Sequence, residues 1–181
     1  MKKLFSIMVL AAFFAVMVVT ADEVVSALHG VVTKVDAAAK TIVVKTKDGT
    51  EHTIHFVDKT VVKGGEAVGT GAKDTFQGVK EGSEVVAHYT VKGTEETAVE
   101  VDKVGKGGFK VMEGTVTKVS EGGKTVTVKA ADGTEQTFEV AGHGTKVAAV
   151  DTAKGTEKGA KVTVYYTESA GKKIVHFFEK L

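Results

Sequence analysis

"GVVTKVDAAAKTIVVKTKDGTEHTIHF" (residues 30–56) and "GTVTKVSEGGKTVTVKAADGTEQTFEV" (residues 114–140) are one unit written twice. At a constant offset of 84, 14 of the 27 positions are identical. Further along, "DTFQGVKEGSEVVAHYT" (74–90) matches "DTAKGTEKGAKVTVYYT" (151–167) at an offset of 77. The first copy therefore carries a seven-residue insertion, which falls in the Gly-rich stretch "VVKGGEAVGTGA". Self-similarity on this scale is the mark of a repeated structural unit. It divides the chain into a first repeat over 27–104, a linker over 105–111 ("GKGGFKV") and a second repeat over 112–181.

Within a repeat the pattern is that of short β-strands. Val, Ile and Thr dominate, Pro is absent from the whole chain, and apolar residues alternate with polar ones. Ile42 and Val44 share a face, as do Val126 and Val128. "KDGT" and "ADGT" follow, and Asp-Gly is a strong hairpin signal. In strand four, Val85, Ala87 and Tyr89 share a face, matched by Val162, Val164 and Tyr166. Val32 and Val35 are three apart, out of phase for a straight strand, so strand one is expected to carry a bulge or sharp bend. Asp74 stands where it would cap one helical turn between strands three and four. The expected fold is all-β: two tandem five-stranded OB-like small barrels, each with one short helix, the alternative being SH3-like barrels.

The chain opens "MKKLFSIMVLAAFFAVMVVTA". Lys2 and Lys3 give a positive start, Leu4 to Val19 form an apolar run, and Val19-Thr20-Ala21 places small residues before a cleavage point. This is the three-part pattern of a secretory leader over residues 1–21. The apolar run is short for a membrane span, which needs about 20 residues. The expected location is periplasmic or secreted, with no membrane span after cleavage. There is no Cys, so no disulfide and no thiolate chemistry. Lys2 and Lys3 fall in the leader, so 22 of the 24 basic residues remain against 23 acids. All are Lys, and without Arg the chain lacks the side chain that forks onto phosphate and guanine. Nucleic acid is not an expected partner.

The run G-x-V-T-K-V-x(4)-K-T-x-x-V-K-x-x-D-G-T-E-x-T, followed by K-x-G-x-x-V-x-x-x-Y, resembles the small OB-like barrel domains of uncharacterised exported bacterial proteins. The resemblance covers both repeats and implies architecture rather than a reaction. The strand pattern is also similar to periplasmic copper-chaperone barrels, which hold their metal with a Met-x-Met pair, a nearby Trp and a His. This chain has no Trp, and its only Met beyond the leader is Met112, so the residues that carry copper in that family are missing.

Six histidines are the remaining hint of chemistry. His52 and His55, three apart on a strand, are expected on opposite faces. Comparison of the repeats pairs His55 with Glu139, His52 with Gln136, His88 with Tyr165, His29 with Glu113 and His176 with Val99, while His143 lies in the loop "AGHGT". No histidine has a histidine counterpart, whereas a duplicated metal site is expected to repeat its ligands. The expectation is therefore no metal site and no cofactor. The alternative is a Cu or Zn site built from His55 and His88, read as outward-facing on strands that could adjoin, with Glu51 completing it; three or four converging ligands are needed.

Other groupings fall short of catalysis. "GGEAVGTG" (64–71) lacks the Lys-Ser/Thr of a phosphate loop. Glu95 and Glu96 sit in a turn, and Ser26, Ser83, Ser120 and Ser169 lie at ends or turns. "IVHFF" (174–178) differs from its counterpart: it is apolar on both faces, with Val175 and Phe177 placed outward, where the first repeat has Ala98 and Glu100. Val175 and Phe177 are the expected partner contacts, against the other repeat, a second subunit or an envelope protein. The functional expectation is a non-catalytic binding or assembly module acting through a barrel face or sheet edge, with an envelope protein or small ligand as partner. The alternative is a periplasmic metal-binding protein.

Overall fold

The computed structural model describes residues 25–64, 76–140 and 157–181. The leader, the stretch carrying Asp74 and most of "GGEAVGTG", and His143 lie outside the described residues.

The chain is all-β. The first repeat forms β1 (Val25–Asp36), β2 (Thr41–Thr46), β3 (Glu51–His55), β4 (Val61–Lys63), β5 (Glu84–Lys92) and β6 (Glu95–Lys103). The second forms β7 (Lys110–Val119), β8 (Thr125–Lys129), β9 (Glu135–Val140), β10 (Lys161–Ser169) and β11 (Lys172–Lys180). In the first, β1 pairs antiparallel with β2 and β5, β2 with β3, and β5 with β6. Parallel pairing of β3 with β6 completes the ring. The second repeats the circuit, β7-β8-β9-β11-β10 and back to β7, with β9 parallel to β11. The sixth strand of the first repeat, β4, runs parallel to β6. Among the described residues the one helical element is a single 3-10 turn, Glu121–Gly123, between the first and second strands of the second repeat. In the first repeat the expected helical turn lies largely outside the described residues, and the part described, Phe76–Gly78, is a turn.

Strand one serves both halves of its barrel, pairing with β5 over Val25–Val31 and with β2 over Gly30–Asp36. To do so it coils sharply. A side chain at Gly30 would strike the Lys45 carbonyl oxygen and the Val44 side chain, and one at Gly114 would strike the same atoms of Lys129 and Val128. Glycine is what lets the backbones approach this closely. The expected bulge follows: the register shifts between Val32 and Lys34, and again between Val116 and Lys118. Val32 is thereby buried and Val35 also packs on the core.

The Asp-Gly hairpins form as read. Gly49 and Gly133 take φ of 89° and 86°. Asp48 and Asp132 accept hydrogen bonds from the amides of Thr50 and Thr134, at 3.1 and 2.9 Å, which hold both carboxyls below their ordinary range; at Asp48 a bond from the Thr46 hydroxyl is the larger cause.

Each barrel has its own core. In the first, Val32, Ile42, Val44, Ile54, Val85 and Val101 are sealed from solvent. The second uses Val116, Val126, Val128, Phe138, Val162 and Val164. The last strand, β6 in the first repeat and β11 in the second, departs from simple alternation in both. Tyr89 pairs with Ala98 while His88 pairs with Glu100, so Val99 is bulged out of register. Tyr166 pairs with Val175 while Tyr165 pairs with Phe177, so His176 is bulged at the equivalent place. The bulge corrects the face assignment made from alternation: Ala98 and Val175 turn into their own barrel cores, and only Glu100 and Phe177 face outward.

Candidate functional site

The outward faces of β5–β6 and β10–β11 meet each other. Val86 on β5 packs with Tyr165 on β10 and Phe177 on β11, and Phe109 from the stretch between the repeats completes a third apolar cluster. Ala27 and Val104 pack around it. Phe109 is held by a tight turn: its amide donates to the Lys103 carbonyl at 2.8 Å, and the Gly105 amide donates to its carbonyl at 2.9 Å. A Cβ at Gly108 would overlap the Lys103 carbonyl, so this turn requires glycine. "GKGGFKV" thus folds back and delivers a ring to the junction, a role its glycines alone do not reveal.

The sequence-derived candidates fall as follows. Phe177 lies in the junction and Val175 in the core of the second barrel. His55 is half-buried on β3 and Glu51 exposed at its start. His88 faces out from its own barrel, yet only 1% of it is exposed. Strands β3 and β5 do not adjoin, because β6 runs between them, so His55 and His88 are not drawn together as adjoining strands would draw them. Among the described residues no three His, Asp or Glu side chains form a group able to hold a metal ion.

What gathers at the junction is two polar clusters beside the apolar one. In the first, the His29 ring bridges the barrels: Nε2 lies 2.9 Å from Glu84 Oε1 and Nδ1 lies 3.3 Å from Glu179 Oε2. The Tyr165 hydroxyl donates to Glu179 at 3.1 Å, and its ring packs on His29 with centroids 4.7 Å apart. Burial first, then the negative charge of Glu179, push the Tyr165 phenol far up, so it stays a donor at any ordinary pH.

The second cluster centres on Glu100 and Asp102, two apart on the outward face of β6, opposite His88 and Val86. Asp102 is 1% exposed and Glu100 7%. Lys63 on β4 donates to Glu100 at 2.7 Å. His88 Nε2 stands 4.0 Å from Asp102 Oδ2, beyond hydrogen-bond reach. As a carboxylate, Asp102 finds no hydrogen-bond donor for either oxygen; carrying a proton, it donates to Glu100. Burial above all, then repulsion by Glu100 and the bond to it, push Asp102 up to about 8, against the pull of Lys63. Burial also raises Glu100, but the bonds from Lys63 and Asp102 and the charges of Lys63 and His88 outweigh it and leave that carboxyl below its ordinary range. From the second barrel, His176 accepts or donates a 2.8 Å bond with the Thr167 hydroxyl and stacks on Phe109 with centroids 4.8 Å apart. Burial first, then the Lys63 charge, lower it, with Glu100 opposing.

An open feature lies on the far side of the second barrel. A cleft of about 400 Å³ is lined by Thr125 of β8, by Glu135, Gln136, Thr137 and Glu139 of β9, and by Gly171, Lys172 and Lys173 at the β10–β11 turn. Lys173 reaches Gln136 at 2.6 Å and Lys172 reaches Glu139 at 3.0 Å. Its lining side chains carry both charge signs, and their aliphatic stems contribute as much of the wall as their polar atoms.

No protein-family model matches this chain, and no curated protein sequence matches it. Among solved structures, silver(I)-bound CusF is 14% identical, with a TM-score of 0.32, over 44% of this chain and 96% of its own. A copper(II)-bound tryptophan-to-alanine variant of CusF from Escherichia coli is 15% identical, with a TM-score of 0.33, over 45% and 92%. Apo-CusF from Escherichia coli is 14% identical, with a TM-score of 0.35, over 48% and 94%.

Proposed function

We propose that this protein is an exported, non-catalytic binding module, freed of residues 1–21 and working in the periplasm or outside the cell through a face of its second barrel. The observation that carries this reading is the place of the cleft. In small barrels whose third and fifth strands close in parallel, as in the OB type, strands two and three and the turn between strands four and five form the ligand face. Here those elements are β8, β9 and the Gly171 turn, and they line the cleft. Among the described residues the groups with the most perturbed acidity, by contrast, are buried at the junction, where Asp102 is 1% exposed. Phe177 belongs to the packing between repeats on this reading, and the repeats 27–104 and 112–181 act as one unit.

The test is capture from the native envelope with the full mature chain as bait, beside a variant carrying Gln136→Arg and Lys173→Glu. Material retained by the wild type and released by the variant supports the cleft as the binding face. Retention indifferent to both substitutions overturns it.

A further inference from the structure

We propose that the junction between the two barrels is a proton-controlled latch: one shared proton between Glu100 and Asp102 holds the outer faces of β5–β6 and β10–β11 together, and its loss parts them. The geometry supplies the reason. Two carboxyls stand on one strand face, both nearly sealed, at 7% and 1% exposure. Three side chains face them: His88 from β5, Lys63 from β4 and, from the second barrel, His176 on β11. Lys63 is committed to Glu100 at 2.7 Å. His88 stands too far from Asp102 to bond it, and His176 is bonded through Nε2 to Thr167. One ammonium therefore serves two carboxyls. Desolvating a second negative charge with no bonded counter-ion is costly, and taking up a proton removes that cost.

The remaining groups at the junction do not share this weakness. Glu84 is bonded by His29 Nε2 at 2.9 Å, and Glu179, 3.3 Å from His29 Nδ1, accepts from Tyr165, which keeps its proton throughout. When the Asp102 proton leaves, the least expensive way to rehydrate the new carboxylate is to admit water between the barrels. That separation uncovers Val86, Phe109, Tyr165 and Phe177, an apolar patch hidden in the closed form. An exported chain meets the pH of its surroundings directly, so such a latch would couple ambient alkalinity to exposure of this patch. The inference does not depend on the cleft or its ligand.

The chain lacks Cys, so two introduced cysteines carry dyes without ambiguity. Exposed Lys47 and Lys118 place one dye on each barrel. Energy transfer in the full mature chain, followed from pH 6 to 9.5 beside far-UV circular dichroism, is expected to fall in a single-proton step as pH rises toward about 8 and to level off above it, while strand content is unchanged. Asp102→Asn keeps the shape without the titration, and its transfer should stay flat over the whole range. A flat wild type, or a step that survives in Asp102→Asn, overturns the latch. Should Asp102→Asn fail to fold, Glu100→Gln decides: with the repelling charge gone the midpoint must move to lower pH, and an unmoved midpoint overturns the proposal.

Discussion

Val175 and Phe177 sit two apart in one strand, and ordinary alternation puts them on one face. The bulge at His176 instead sends Val175, 0% exposed, into the second barrel's core and Phe177, 7% exposed, into the junction. Truncation should separate these roles. Val175→Ala removes two methyl groups from a sealed site, costing about 2–3 kcal/mol once the cavity is counted. Phe177→Ala removes a ring packed 5.7 Å from Tyr165, at a cost of about 3–5 kcal/mol. The distinguishing quantity is the coupling of each to Val86→Ala on the first barrel. Phe177 and Val86 share a cluster, so their double variant should depart from additivity by about 0.5–3 kcal/mol. Val175 and Val86 belong to different clusters and should add to within about 0.5 kcal/mol. Urea unfolding followed by far-UV circular dichroism and Tyr fluorescence, the chain having no Trp, yields the stabilities of the wild type and all five variants. Coupling of Val175 rather than Phe177 to Val86 would refute the bulge and the junction together.

Stability should fall as pH rises from 6.5 to 8. Over that window the folded chain keeps a proton on Asp102 that the unfolded chain, at its ordinary 3.8, has already lost, giving a slope of at most about 1.4 kcal/mol per pH unit. Glu100 and His176 are both lowered, so their contributions are lost only as pH falls, through the acid range and below 6.5 respectively, and neither acts in this window. Urea midpoints measured across pH 6–9 check the slope, which Asp102→Asn should remove. Lys63→Met deletes the donor 2.7 Å from Glu100; it should cost about 1–3 kcal/mol and raise the Asp102 midpoint, because Lys63 is what pulls that value down. Carbon-13 carboxyl titration reads the midpoint directly. Gly30→Ala and Gly114→Ala each force a Cβ into a neighbouring carbonyl and should each cost about 1–3 kcal/mol in chemical denaturation.

Much of the architecture is written in features that depend only on neighbours along the chain. The duplicated Asp-Gly turns, the alternation in β2, β5 and their counterparts, and the Val32–Val35 phase slip all act within a few residues, and the structure places them as expected. The strand-five bulge left the same kind of trace: Ala98 and Val101, like Val175 and Phe178, are core residues three apart. Alternation alone did not show it in "IVHFF", where apolar residues stand on both sides of His176, the residue that bulges. The pairing partners of strands were not legible, since parallel closure of β3 on β6 joins segments about 40 residues apart by way of β5, with no local signal. That closure is what puts β6 between His55 and His88. The site was least legible of all. Nothing in "AVEVDKV" or "GKGGFKV" announces that Glu100, Asp102 and Phe109 are buried, because what buries them is packing beyond their own strand.

The disagreement between repeats at His29, His88 and His176 then acquires a physical explanation. Both barrels use the same outer face, strands four and five, against each other. At the 77-residue offset His88 corresponds to Tyr165, Glu100 to Phe177 and Asp102 to Glu179. Two identical faces meeting would set like against like, apolar rings on rings or carboxylates on carboxylates. Divergence at His88 and Glu100, with the interiors kept alike, gives one face rings and a phenol that stays protonated near neutrality beside Glu179, and the other a pair of acids and an imidazole. On these outer faces, His88 against Tyr165 and Glu100 against Phe177 therefore mark where one copy touches the other. A metal site served equally by both barrels would require the opposite pattern, with ligands held constant and surroundings free to drift.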